Sequence, residues 1–137
     1  MRTGLCCLLL IITAGCGHQT ADQKLISDLG QATSWAATLD LATASWMGNR
    51  VPAAFMDDTI DAAQKSFGGA MQSIEQSKAS TALRERARHE IRMAEDAGAE
   101  LRGAVHRTDA GAAARARTRF TAAYASLHAI QQQGEQQ

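Results

Sequence analysis

Residues 81–107 read TALRERARHEIRMAEDAGAELRGAVHR, and their apolar members recur at steps of four and three: Leu83, Ala87, Ile91, Ala94, Gly98, Leu101 and Val105. That period is the seam of a helix packed on other helices, because residues three and four apart share one face of the turn. Charged residues of both signs stand between the seam positions, as on the solvent side of such a helix. No proline interrupts the run, so it is predicted to be one continuous helix that needs partners to cover its seam.

The same spacing recurs three more times. Upstream, Leu25, Leu29, Ala32, Ala36, Leu39, Thr43 and Trp46 form one seam, and Met56, Ile60, Ala63, Phe67, Ala70 and Ile74 form a second. Downstream, Ala113, Ala116, Phe120, Ala123, Leu127 and Ile130 form the last. Thr20 with Gln23 makes a capping box, Gly48 a left-handed stop after Met47, and Pro52 suits a first helical turn. Ser77 to Thr81 make a turn with Ser80 as an N-cap, and Thr108 or Asp109 caps the final helix. The expected helices are about 21–47, 52–77, 81–107 and 110–132, with fraying from Gln131 and a loose tail at 134–137.

Aromatic residues make up 4% of the chain, β-branched residues are sparse, and the only proline is Pro52, so strands are not expected. Short turns between four long helices dictate antiparallel neighbours, an all-α up-down-up-down four-helix bundle spanning 21–133. The many alanines in the seams place helix axes toward the short end of the usual 8 to 10 Å separation, which leaves little room for a cofactor. The alternative is a longer two- or three-helix coil that completes its core by dimerising.

Before the first helix, Arg2 and the apolar run Leu5 to Ile12 have the form of a secretory signal, too short to cross a bilayer. The segment closes on Thr13-Ala14-Gly15-Cys16, which resembles the lipobox of bacterial lipoproteins, with Thr13 where that family usually places Leu, Val or Ile. The resemblance implies removal of residues 1–15 and a lipid on Cys16, with 16–20 as the tether. It also implies an outer-membrane, periplasm-facing destination, since Gly17 replaces the Asp that retains such proteins at the inner membrane. The rival reading is an ordinary signal cut near Ala14 that leaves Cys16 a free thiol. On a short tether, the 77–81 turn and the chain end are expected near the membrane, with the 48–51 and 107–109 turns facing away.

Cysteine usage and charge narrow the function. Cys6 and Cys7 leave with the leader and Cys16 is the anchor, so no disulfide, Cys-x-x-Cys-His haem site or cysteine metal cluster is expected. Fourteen basic residues balance fourteen acidic ones, far from the basic field of a nucleic-acid binder. No nucleophile elbow or phosphate loop is present, and the paired Glu-x-x-His of a di-iron bundle is missing. His89 stands one turn from Glu85 and from Met93, and Asp57, Asp58 and Asp61 sit in the first turns of a helix where they favour its dipole. A metal protein or enzyme would require His89 or His106 to meet carboxylates across helices.

Two arginine groups remain. Arg84, Arg88 and Arg92 share a face that either touches lipid phosphates or is a solvated surface laced by Arg86 with Glu90, Arg92 with Asp96 and Glu85 with Arg88. Arg102, His106, Arg107, Arg115, Arg117 and Arg119 are expected around one turn, beside Trp46, Asn49, Arg50 and Val51. Trp and Arg dominate binding hot spots, so Trp46, Arg50, Arg107 and Arg115 are the candidate partner surface. Trp46 also continues its seam, and Trp35, Phe55, Met71 and Tyr124 read as core margin. The expectation is a non-enzymatic, cofactor-free, lipid-anchored accessory or chaperone-like envelope component acting by protein contact, with homo-oligomers possible. The alternative is a bundle that holds a small apolar or lipid ligand between its helices.

Overall fold

Thr20 opens the first helix by a reciprocal capping box: its hydroxyl accepts from the Gln23 N–H at 3.1 Å, and its own N–H donates to Gln23 Oε1 at 2.9 Å. Two of the orphan donors at the helix start are thereby satisfied. The computed structural model describes residues 19–135, and every regular element among them is helical: α1 (Ala21–Asp28), α2 (Gly30–Met47), α3 (Ala53–Gln76), α4 (Thr81–Arg107) and α5 (Ala110–Glu135). Cys16 and the leader lie outside the described residues.

The helix expected over 21–47 is divided at Leu29, whose ψ of −13° is flatter than helical. Thr33 Oγ1 and Ser34 Oγ donate to the carbonyls of Leu29 and Gly30 at 3.0 and 3.1 Å, and such back-bonding, next to a glycine, bends a helix. The path still continues, because the Leu29 N–H reaches Leu25 O at 3.1 Å and the Thr33 N–H reaches Leu29 O at 3.0 Å. α1 and α2 therefore act as one bent arm of the bundle.

The other ends differ in detail from their sequence signals. Gly48 has φ −83°, and the left-handed residue after α2 is Asn49 at φ 55°, a conformation that asparagine tolerates. Pro52 precedes α3 as its N-cap, with Ala53 as the first helical residue. Ser80 does precede α4, but its N–H and hydroxyl both bond the Asp22 carboxylate of α1, at 2.7 and 3.1 Å. Thr108 takes the left-handed position after α4, and Asp109 accepts the Ala112 N–H at 2.9 Å to cap α5. Past Gln131, α5 continues to Glu135, Arg86 donates to Gln133 at 3.2 Å, and Gly134 lies against Ile26 of α1.

Four arms, α1 with α2, then α3, α4 and α5, pack in a ring in which α5 closes against α2 and the diagonal from α2 to α4 barely meets. This is the antiparallel four-helix bundle, and the single chain completes its own core without a second copy. The repeating positions of all four seams are buried, with Phe67 and Phe120 fully enclosed; Leu83 and Trp46 are half-buried against that core. Burial of such side chains is worth about 1.5–3 kcal/mol each and sets the bundle's register. No helix among the described residues is long and apolar enough to cross a membrane.

Candidate functional site

Antiparallel topology brings the 48–52 and 108–109 turns to one end of the ring, together with Trp46, Arg50 and Arg107. The arginines expected to gather there are instead dealt out to three helix interfaces. Arg102 pairs with Asp61, and His106 Nε2 lies 3.0 Å from Asp57 Oδ1, both across α3 and α4. Arg115 and Arg119 straddle Glu100 across α4 and α5 at 3.4 and 3.1 Å. Arg117 meets Asp40 of α2 at 2.8 Å, where Thr121 also donates at 3.1 Å. Among the four candidate residues, Trp46 is half-buried against the core and Arg115 is ion-paired, whereas Arg50 and Arg107 are exposed and make no ion pair among the described residues.

His106 thus does meet a carboxylate across helices. No third group joins the pair: no cluster of three His, Cys, Asp or Glu residues with metal-holding geometry occurs among the described residues. On α4, the pair of Glu85 with Arg88 forms, but Arg86 turns to Gln133 and Arg92 makes no ion pair with Asp96 among the described residues. Arg84 is half-buried with its Nε enclosed and unpartnered, so the face it shares with Arg88 and Arg92 is not evenly solvated. Burial, then the neighbouring Asp96 charge, raises the Glu95 carboxyl above its ordinary range, partly offset by Arg92.

The exposed large apolar side chains were not legible as a group. Leu41 is 68% exposed and Phe55 48%, with Met47 and Tyr124 each 37%; Phe55 and Tyr124 were expected at the core margin. Leu41 and Met47 lie on α2, Phe55 and Tyr124 on α3 and α5, which flank both α2 and α4, and α4 itself carries none. Charge is distributed the opposite way. α2 has one charged residue, Asp40, already bound to Arg117, and α5 has none from Phe120 to Gly134, whereas eleven of the 27 residues of α4 are charged. Hydroxyls on α2, from Ser34 and Thr38, bond back to their own helix carbonyls at 3.1 and 2.9 Å. The signal available in the sequence was α2's lack of charge.

A second feature lies between the α1–α2 arm and α3. A row of small residues on α3, Ala62, Ser66, Gly69 and Ser73, faces Ser27, Gln31 and Trp35 across an open groove of about 800 Å³. Small side chains on one wall leave the space that Trp35, half-buried, only partly fills. A recess of about 370 Å³, sharing Lys24, Asp28 and Ser73 with the groove, extends it to Lys78. The groove is open to solvent and is not an enclosed cavity between the seams. The described chain is an all-α antiparallel bundle; comparison with protein-family models, curated proteins and solved structures finds no match.

Proposed function

We propose that this chain is a lipid-anchored bundle that works by protein contact, docking an envelope partner on its α2 side and turning α4 to solvent. The observation that supports it is the opposition just described: exposed Leu41 and Met47 on a nearly uncharged α2, with Phe55 and Tyr124 on the helices that flank it, against a densely charged α4 without such residues. An exposed apolar surface rimmed by polar residues is the usual form of a protein contact, and charge is depleted at the centre of such interfaces. The lipobox resemblance at Thr13 to Cys16 supplies the anchor, with the outer membrane as its destination. Two or three acyl chains hold a protein at a bilayer where one holds it marginally.

Cross-linking from intact membranes tests both halves. Wild type is expected in the outer-membrane fraction with one defined envelope protein captured. Cys16→Ser should lose the membrane, while Leu41→Asp and Phe55→Asp should keep it and lose the captured protein. Soluble wild type rejects the anchor, and capture that survives Leu41→Asp but not Arg92→Glu rejects the docking side.

A further inference from the structure

Gly69 is the residue in the groove that the fold does not require. Its φ is not positive, and a Cβ built on it meets nothing within 4 Å, so neither backbone conformation nor packing calls for glycine there. Glycine in a helix interior is weaker than alanine because it loses more backbone freedom on folding. Gly69 lines the groove between Ser66 and Ser73, so a large side chain there would reduce the space.

We propose that this groove binds an anionic glycan, with Trp35 as the stacking platform. The chemistry of the lining selects that class. Hydroxyl and amide groups from Ser27, Gln31 and Ser73 line it together with the Trp35 ring and the methyls of Ala32 and Ala70. A sugar ring presents the same mixture, C–H groups on its face and hydroxyls at its edge.

Charge adds the sign. Asp28 is held by Lys24 at 2.8 Å, so those two cancel, and Lys65 and Lys78 remain over the groove and its recess without an ion pair among the described residues. An acyl chain in this trough would strand its serines and glutamine away from water, a cost an apolar ligand cannot offset. An extended peptide finds no free backbone here to pair with, since both walls are helices whose N–H and C=O groups are already bonded. The groove is open along its length and passes from Trp35 toward Lys78, which admits several rings in series.

The inference is independent of the docking side, and its test separates the two. In a full chain carrying Trp46→Phe, Trp35 is the sole indole and its emission reports the groove. Titration with an oligomer of uronic acid should shift that emission saturably, with at least tenfold weaker binding of a neutral glucose oligomer of equal length. Gly69→Leu should weaken uronate binding at least tenfold with an undiminished thermal midpoint, and Gly68→Leu, at the neighbouring position with equally open space but outside the groove lining, should leave it unchanged. Lys65→Glu should weaken it as well, and Leu41→Asp should not.

Equal binding of poly-glutamate would reduce the site to charge alone and overturn the proposal. So would tighter binding of laurate, unchanged affinity in Gly69→Leu, or the absence of any saturable change with the uronate.

Discussion

Gln64 of α3 occupies the volume that a Cβ on Gly98 of α4 would need, and from there its side-chain amide donates to the Glu95 carbonyl at 2.9 Å. A glycine on the α4 seam is thus used for a polar crossing between two helices. Gly98→Ala gains about 1 kcal/mol of helix propensity and displaces a hydrogen bond worth about the same, so alone it should be nearly neutral. In a Gln64→Ala background only the gain remains, and Gly98→Ala should then stabilise by about 1 kcal/mol. Urea unfolding of the four proteins in this cycle measures the coupling; a value near zero would mean that Gln64 does not depend on the glycine.

Asp109 caps α5, and its bond from the Ala112 N–H, aided by Arg115 and Arg107, holds its carboxyl below the ordinary value of 3.8 despite some desolvation. A depressed folded pKa contributes stability that is present above the unfolded value and is lost as pH falls through the folded one. Wild type should therefore lose thermal stability below pH 3.8 more steeply than Asp109→Asn, which keeps the cap and removes the titration. Parallel midpoints across that range would refute the role.

Glu95 runs the other way. Its carboxyl is raised above 4.5, so the ionised form burdens the fold increasingly as pH rises from 4.5 through the folded value. Glu95→Gln should raise the thermal midpoint at pH 7, and the gain should disappear once pH falls below 4.5. The Gln64 bond uses the backbone carbonyl of Glu95 and is expected to survive the change.

The end of α5 steadies α1. A chain stopped after Ile130 loses the Arg86 contact to Gln133 and the packing of Gly134 on Ile26. Amides of α1 should then exchange faster than in wild type while those of α4 near Ile91 stay protected, as expected of a locally opening unit. Equal protection of α1 in both chains would show that Asp22 and the Leu25 seam hold it alone.

Phe120 is fully enclosed, and Phe120→Ala should cost about 3–5 kcal/mol, read from chemical unfolding. This position was legible in advance, as were Phe67, Ile91 and Leu127, because a step of three or four residues reports burial directly. Features that depend on distance between chain segments were not. Arg86 has Glu90 one turn away yet reaches 47 residues on to Gln133, and Ser80 is bonded by Asp22 from 58 residues earlier. The groove escaped notice for the same reason: the small row Ala62, Ser66, Gly69 and Ser73 becomes a space only when Trp35 stands opposite it. Leu41, lying off its seam, gave no sign beyond the lack of charge around it.

The bend at Leu29 also decides where the chain yields when it is pulled. Load applied at Gln19 reaches α1 first, and α1 is held by one core residue, Leu25, by the Asp22 grip on Ser80 and by the seat of Ile26 over Gly134. Unwinding its eight residues up to the bend would lengthen the chain by about 15 Å and draw Leu25 out of the core, ahead of the contacts among α2 to α5. α1 would in that sense give way first under tension, before the longer helices part.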